Sequence, residues 1–500
     1  MNYKNLKIIS IMLITFLYGD TSVSGNVNFY SAFKSSDGSL ITLPYRLTNL
    51  SFQQQRDNIQ FNVNLAIEHH IRKDVETLDD NSAQDFLFDL REIYFSYYTE
   101  FGEFRFGKQI HSWGMVDENS PIDNINAYDY YYLFLGGSDR KIGSFSGLVE
   151  VYYNDWKMGA IFSPIHHTNR IPINDTSFPI ELTAIPRGDQ IMALEKNKLE
   201  YGGYIQKSFS NSEYRLSFFN GYDRLFNLSG INIFIPNFAS SITDLSFTDV
   251  DIVYGYRKTK MFGFGTTLLF DTFTIRGDIA SFISQDNNKS VIRENPNTSD
   301  IAYQFYTQLG ARIDTDQNGI QDTVYFSFPI NEKADYLQYT LQLEYDLPMD
   351  ISMLMQLSKY ELTNFEFTDH DFPDDIDIPN FDDVNLEDLS PENLFTPGMG
   401  TTISTLSSNA ITLNLEKLFY SNRVKMNIIN VLDIDNPNFS FLSIGTLMEY
   451  RLEYTISDGF SMLGSINKVY GDKNHKDGKM YPFNQLEDFS HYRLELKYYF

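Results

Sequence analysis

The chain has no cysteine among its 500 residues. Disulfide bonds, thiolate metal sites and cysteine nucleophiles are therefore excluded, and other contacts must hold the fold together. Long apolar runs are also missing, since beyond the N-terminal segment no window has the roughly 18 consecutive apolar residues that a membrane-spanning helix needs. If the mature chain enters a membrane, it must cross with strands.

Basic side chains are scarce as well. The sequence has 39 Lys and Arg against 66 Asp and Glu, which gives a formal net charge of −27. Because phosphate contacts require clustered Lys and Arg, this balance argues against nucleic-acid binding. Tryptophan occurs only twice, but 42 Phe and 34 Tyr are present, a share typical of a protein with a wide aromatic surface at a membrane interface.

The N-terminus has the layout of a signal peptide. A positively charged stub precedes the apolar run Ile8–Tyr18, and small residues follow it. The run is shorter than the roughly 20 residues of a spanning helix. We expect cleavage after Ser24 or Gly25, so that residues 1–24 are a signal peptide and 25–500 form the exported chain.

Strict alternation of apolar and polar residues is the main signal in the exported chain. It is clearest from Ile59 to Glu68, and it returns from Leu337 to Tyr345 and from His491 to Phe500. One face of each run is apolar and the other polar, over about the ten residues that a tilted strand needs to cross a bilayer. These runs therefore predict membrane-spanning strands.

The connections between the runs alternate in length. Short turns are predicted at 55–58, 99–102, 154–155, 210–212, 271–272, 346–348, 420–422 and 457–459. Long polar connections are predicted at 34–43, 71–85, 111–143, 164–198, 223–248, 285–334, 361–408, 433–438 and 471–489. Tight turns on one side and long loops on the other are typical of a single-chain outer-membrane barrel.

The sequence thus predicts one all-β domain over residues 25–500, a transmembrane antiparallel up-and-down β-barrel of about 18 strands with short periplasmic turns and long extracellular loops. The range is roughly 16 to 20 strands, because Tyr303 to Ile330 is either part of a long loop or an extra hairpin above the membrane. A soluble secreted sandwich or propeller is the alternative, although its connections would not segregate by length.

Two local patterns carry a resemblance to a known class. The final alternating run stops at Tyr499-Phe500, and Arg91-Glu92-Ile93-Tyr94-Phe95 is followed after a tight turn by Phe106-Gly107-Lys108-Gln109 and by Ser112-Trp113-Gly114. The chain resembles bacterial outer-membrane porins, and the second pattern is similar to a hairpin and loop of porin-like channels, including the alginate-export type. The solute and the oligomeric state stay open.

The resemblance has implications for location and partners. It implies export through a cleaved signal peptide into the outer membrane of a Gram-negative-type bacterium, with contact to lipid and lipopolysaccharide. It also implies that the barrel-assembly machinery reads the C-terminal strand ending at Phe500.

Barrels of about 16 to 18 strands leave an aqueous channel. Parity predicts that these ionisable strand residues face it: Glu68, Glu92, Arg105, Glu150, Lys157, Arg215, Arg276, Asp278, Glu344, Glu416, Arg423, Lys425, Glu449, Arg451, Glu453, Arg493, Glu495 and Lys497. The candidate pore-lining residues are Arg105, Gln109, Asp117, Glu118, Arg215 and Arg276. The three arginines form either a basic wall that handles anionic or sugar-like solutes or structural pairs with carboxylates across the lumen.

Three long connections are singled out for function. By the resemblance, 111–143 is the candidate constriction loop, whose acidic residues and aromatic cluster Tyr128 to Phe134 would suit a carbohydrate. The alternative is an external loop that caps the barrel, with its aromatics at the membrane rim. Residues 285–334 and 361–408 are predicted long extracellular loops, and the second is strongly acidic.

One segment has the spacing of a calcium loop. The candidate ligands are Asp314, Asp316, Asn318, Ile320 and Asp322. Gly319 stands at the sixth position, but Tyr325 replaces the glutamate expected at the twelfth. A structural Ca²⁺ site and an Asp/Asn-rich hairpin turn therefore both remain open, and the barrel itself requires no cofactor.

No enzymatic motif is present. The sequence has neither H-E-x-x-H, nor G-x-S-x-G, nor a phosphate-binding glycine loop. Passive diffusion of small hydrophilic solutes, with carbohydrate-like or anionic solutes as candidates, is the main functional hypothesis. A surface-binding or adhesion barrel that acts through acidic extracellular loops is the alternative, and an outer-membrane barrel hydrolase is the third.

Overall fold

The structure is a computed structural model that describes most of the chain. The described residues are 19–70, 85–132, 137–172, 198–235, 249–286, 324–368, 392, 395–435, 445–473, 475 and 481–500. No helix among them is long and apolar enough to cross a membrane.

Eighteen antiparallel strands form one closed sheet. The barrel strands are β1 (Asp20–Lys34), β2 (Tyr45–Arg56), β3 (Ile59–His69), β4 (Phe86–Thr99), β5 (Gly102–Gln109), β6 (Ser144–Tyr153), β7 (Trp156–Ser163), β8 (Glu200–Ser208), β9 (Ser212–Tyr222), β10 (Lys258–Leu269), β11 (Phe273–Gln285), β12 (Lys333–Leu347), β13 (Ile351–Glu366), β14 (Asn409–Phe419), β15 (Val424–Asp433), β16 (Thr446–Ser457), β17 (Phe460–Tyr470) and β18 (His491–Tyr499). Pairing of β1 with β18, from Asn26 opposite Tyr499 to Lys34 opposite His491, closes the barrel.

The exposed face of the sheet is apolar and the buried face is polar, which is the reverse of a soluble protein. On β12, Gln338 and Gln342 are 0% exposed, whereas Leu341 is 51% exposed. Successive side chains of a strand point to opposite faces, so the glutamines lie in the barrel interior and the leucine on its outer surface. An apolar outer face and a polar inner face are the pattern of a transmembrane barrel, and a soluble sandwich or propeller is excluded.

This assignment of faces predicts a depth-dependent effect of charge on stability. Leu341→Arg places a charge near the midpoint of β12, and we expect it to lower the free energy of unfolding in lipid vesicles by about 2–4 kcal/mol. Tyr345→Arg, on the same face near the turn, should cost only about 0–1 kcal/mol. Urea titration followed by tryptophan fluorescence measures both, and equal losses would contradict the assignment.

The strand number and the alternation of connection lengths are confirmed. The strands that the predicted short turns join meet at one end of the barrel, here the short-turn end. The predicted long connections leave and enter the strands at the other end, here the long-loop end. Strand β1 begins earlier than expected, because Asp20–Ser24 pairs with Ser51–Gln55 of β2. The cleavage site stays a prediction.

Five further strands of the described residues lie outside the barrel sheet. Ala127–Tyr128 and Lys141–Ile142 pair with each other within the connection 110–143. Asn227–Ile235 pairs with both Asp249–Gly255 and Val324–Pro329 in a separate sheet. Of the alternative extra hairpin within Tyr303 to Ile330, residues 303–323 lie outside the described residues, and Val324–Pro329 is one strand that pairs with Asn227–Ile235. The long polar connection predicted at 223–248 contains the strand Asn227–Ile235.

Two hydrophobic clusters lie inside the barrel. In the first, Trp113, Ile122 and Ile125 of the connection 110–143 pack against strand residues that include Phe282 and Tyr336. The second cluster joins long connections to residues of β1, β14, β16 and β17, and its members are Ala32, Ile41, Leu43, Ile403, Leu406, Ala410, Leu447, Val469, Tyr481, Phe483, Leu486 and Phe489. Burial of this apolar surface holds several long connections in the long-loop half of the interior.

Candidate functional site

The connection 110–143, called the inserted loop below, is closed on itself by polar contacts at its base. The Asn126 side chain accepts a hydrogen bond from the His111 backbone N–H at 2.7 Å and donates to the carbonyl oxygens of Gln109 at 3.1 Å and Ile142 at 2.8 Å. Lys141 Nζ lies 2.5 Å from Asp123 Oδ2. These contacts tie the two ends of the loop together.

Two titratable groups in this base have shifted pKa values. Burial lowers the pKa of His111 to about 3, so its ring is neutral at neutral pH and contacts Ser146 Oγ at 2.9 Å. Burial also acts to lower the pKa of Lys141, but the neighbouring Asp123 outweighs it and holds that pKa above its ordinary value. Lys141 therefore stays charged and paired.

The tip of the inserted loop is anchored to the wall by one carboxylate. Asp278 Oδ2, on β11, accepts hydrogen bonds from the backbone N–H of Met115 at 2.9 Å, the backbone N–H of Val116 at 3.1 Å and Ser120 Oγ at 2.7 Å. Asp278 is 2% exposed. The loop therefore enters the barrel and reaches the inner face of β11.

Strands β12 and β13, next to β11, also bind the tip of the inserted loop. Gln342 Oε1 on β12 accepts from the Asp117 backbone N–H at 3.0 Å, and Gln342 Nε2 donates to Asp117 Oδ2 at 2.9 Å. Gln356 Nε2 on β13 donates to the Glu118 carbonyl oxygen at 3.2 Å. Amide side chains at inward positions thus hold the loop tip across three neighbouring strands.

The structure brings some of the predicted pore-lining residues together. Asp117 and Glu118 are 48% and 39% exposed and lie on the loop tip. Arg276 Nη1 is 3.6 Å from Asp117 Oδ1, and Arg276 Nε is 2.8 Å from Glu344 Oε1. Arg215 and Arg276 line one cavity of about 380 Å³ beneath the loop tip.

Arg105 and Gln109 lie elsewhere, on β5. Arg105 pairs with Glu103, and Gln109 is 1% exposed and donates to the Ser146 carbonyl oxygen at 3.0 Å. Gln109 is therefore covered by the base of the loop rather than accessible to a solute.

Two of the three arginines of the predicted basic wall pair with carboxylates, Arg105 with Glu103 and Arg276 with Glu344. The other inward basic residues Lys157, Lys425, Arg451 and Lys497 each lie within 3.1 Å of a carboxylate oxygen. Arg215 differs, since its described partners are Gln206 Oε1, at 3.1 Å from Nε, and the Trp113 carbonyl oxygen. Of the two interpretations of the arginines, structural pairing describes Arg105 and Arg276.

Two adjoining cavities lie along the inner wall beside the tip of the inserted loop. One of about 400 Å³ extends along β13 to β16, and one of about 470 Å³ opens among the turns at the short-turn end. They share Asp117, Leu354, Asn414 and Glu416. Sequence reasoning missed the apolar residues that face the first cavity, including Leu354, Ile429 and Val431, because it followed only the ionisable residues of the inward face.

The structure does not test the prediction of a Ca²⁺ site. Asp314, Asp316, Asn318, Ile320 and Asp322 lie outside the described residues, and the Ca²⁺ loop stays a prediction. Within the described ranges, no group of three His, Cys, Asp or Glu residues could hold a metal ion.

No protein-family model matches the chain, and no curated protein matches it. Among solved structures, it is similar to OccAB3 of Acinetobacter baumannii, with 9% identity, a TM-score of 0.45 and coverage of 97% of this chain and 99% of that one. It is also similar to OccK9 of Pseudomonas aeruginosa, with 10% identity, a TM-score of 0.45 and coverage of 96% of this chain and 98% of that one. For Salmonella typhi OmpF in complex with daunomycin, the identity is 8%, the TM-score is 0.37, and the coverage is 96% of this chain and 98% of that one. The strand pairing of the chain itself establishes the closed 18-strand antiparallel barrel.

Proposed function

We propose that the protein is a passive diffusion channel for small hydrophilic solutes in the outer membrane of a Gram-negative-type bacterium. The observation that carries this proposal is the pair of adjoining cavities, about 400 and 470 Å³, that follow the inner wall toward the short-turn end. Charged and amide side chains line much of them, as in a water-filled pore, and apolar side chains line part of the cavity of about 400 Å³. Barrels of about 18 strands are wide enough for such a route.

The inserted loop supports a second part of the proposal, that the route is narrowed at the loop tip. Asp117 and Glu118 line the cavity of about 400 Å³ together with Lys425 and Arg451. The loop tip and wall thus present charges of both signs across one cavity, which selects solutes by size and by charge placement.

The two candidate solute classes, carbohydrate-like and anionic, can each be compared with the residues that were predicted to bind them. Tyr130 and Tyr132 of the loop are 8% and 5% exposed, so these rings are not free to stack on a sugar. Arg105 and Arg276 pair with carboxylates, so the geometry gives an anion no unpaired basic wall at these positions.

Planar-bilayer recording of the refolded exported chain tests the channel. We expect ohmic conductance steps, and liposomes containing the protein should swell in sugar solutions at rates that fall with sugar size. Heat-denatured protein is the control. Heat-modifiable migration on a denaturing gel shows whether the protein is folded. Absence of conductance from protein that is folded by this test would contradict the proposal.

A surface-binding barrel remains the second candidate, and the interior clusters favour it. Ile41, Ile403, Leu406, Phe483 and Phe489 are buried together at the long-loop end, and this packing narrows the opening. A barrel that conducts no ions but binds cells or surfaces through its acidic loops would support this second function.

The C-terminal strand is the proposed contact for the barrel-assembly machinery. The backbones of Phe500 and Gly25 exchange hydrogen bonds of 2.9 and 3.0 Å at the closing seam. We expect Phe500→Ala to reduce folded barrel in the outer membrane several-fold, because the aromatic side chain at the C-terminus is lost. Refolding of the purified variant in detergent should change little, and equal losses in both assays would indicate a folding defect instead.

A further inference from the structure

The cavity of about 400 Å³ between the inserted loop and strands β13 to β16 has an apolar wall that a purely hydrophilic solute does not need. Leu354, Ile429 and Val431 of the strands are partly exposed to it. Ile403 and Leu406 continue the wall toward the long-loop end. Such a surface stabilises a bound apolar body by about 25 cal/mol for each Å² removed from water.

The charges on the same cavity are mostly paired. Its basic residues are Arg140, Lys425 and Arg451, and each has a carboxylate partner: Glu118 at 3.4 Å, Glu416 at 2.7 Å and Glu449 at 2.8 Å, respectively. Because every basic group already has a carboxylate beside it, none is left as an unshared site for an anion.

The adjoining cavity at the short-turn end is acidic. Its lining includes Asp117, Asp271, Glu344, Asp346 and Glu416, and no Lys or Arg of the described residues belongs to it. Arg276 beside this cavity contacts Asp117 and Glu344, and Lys425 contacts Glu416, which leaves the lining with an excess of acidic groups. A route lined by one sign of charge between low-dielectric walls raises the local concentration of the opposite charge, so a solute on this path meets a field that favours cations.

Asn427 lines the cavity of about 400 Å³ and is 4% exposed. Its Nδ2 donates to Glu416 Oε2 at 3.0 Å, which fixes the orientation of the amide. Within the described part of the chain, its Oδ1 has no hydrogen-bond donor. A buried acceptor without a partner is costly, and a ligand N–H would satisfy it, whereas a carboxylate would not.

We propose that this cavity binds small organic cations in which an ammonium or guanidinium group is joined to a short aliphatic or aromatic body. The inference rests on the proposed channel function, because the cavity lies on the route. The apolar body contacts Leu354, Ile429 and Val431, and the cationic head is held near Asn427 Oδ1, toward the acidic cavity at the short-turn end.

Single-channel recording tests the inference, with n-hexylammonium, ethylammonium and hexanoate as probes and a KCl gradient across the bilayer. We expect a reversal potential of cation-selective sign. Hexylammonium should interrupt the current at concentrations about tenfold below those of ethylammonium, since partial burial of the longer chain gives about 1.4 kcal/mol. Hexanoate should have no effect in the same range.

Two variants separate the parts of the site. Asn427→Leu removes the acceptor, and Val431→Ser makes the wall polar, so both should weaken the hexylammonium interruption several-fold. Asp155→Asn is the matched control, because Asp155 pairs with Lys207 in an exposed turn away from the cavity. Heat-modifiable migration checks that each variant folds.

The outcomes distinguish the two proposals. Conductance steps with anion selectivity, or with equal interruption by hexanoate and hexylammonium, would overturn the cation site and leave the channel standing. Absence of any conductance from folded protein would overturn both.

Discussion

Replacing Asp278 by alanine is expected to raise the single-channel conductance several-fold. The carboxylate accepts hydrogen bonds from Met115, Val116 and Ser120 at the tip of the inserted loop. Without it, two backbone N–H groups lose their acceptor inside the barrel, at about 1–3 kcal/mol each. The loop tip would then leave the wall, and the route beside it would widen.

Liposome swelling gives an independent measure of the same change, since larger sugars should enter vesicles that carry Asp278→Ala. Asp155→Ala is the control, because it removes an exposed aspartate of the turn between β6 and β7 without touching the loop. An unchanged conductance in a folded Asp278→Ala barrel would show that the remaining contacts, such as those of Gln342, suffice to hold the loop.

Replacing Arg257 by methionine is expected to lower the free energy of unfolding by about 3–5 kcal/mol. Arg257 is 1% exposed; its Nε lies 2.6 Å from Asp223 Oδ2, and its Nη1 pairs with Glu332. Burial raises the pKa of Glu332 above its ordinary value even with the arginine beside it. Without the arginine, two buried carboxylates would be left without their cation.

Urea unfolding in detergent or vesicles measures this loss. Lys333→Met is the matched control, because Lys333 pairs with Glu366 at 3.2 Å on an exposed surface and exposed pairs contribute little. Equal stability of the two variants would contradict a structural role for the Arg257 pairs. The pH dependence of Arg257→Met offers a further check, since protonation of Glu332 at low pH should reduce its deficit relative to the unmodified chain.

The barrel strands were predictable because their signal is local. From Ile59 to Glu68, the polarity of each residue indicates which face of the strand its side chain lies on. The observed strand β3 covers this run, over Ile59–His69. The start of β1 was less visible, because Asp20–Ser24 is held by backbone pairing with β2 rather than by an alternating pattern. The strand Asn227–Ile235 was missed for a similar reason, since its partners come from other connections.

The interior was only partly predictable. The sequence pointed to 111–143 as a loop of interest and placed Asp278 and Glu344 on the inward face, but it could not show that the loop reaches β11 to β13. The partners of Met115 to Glu118 on those strands lie 162 to 238 residues away in the chain. The apolar wall of the cavity was equally hidden, because an inward Ile or Val looks the same in sequence as one in a buried core.

The amino-acid sequence alone therefore determined the closed barrel, its strand number and the two kinds of connection, because lipid and water act on every second side chain and on each strand separately. Only the tertiary structure decided where the inserted loop lies, which charges neutralise one another and where a cavity remains. Those features depend on side chains from distant strands meeting at hydrogen-bond distance, and no local period in the chain encodes such meetings.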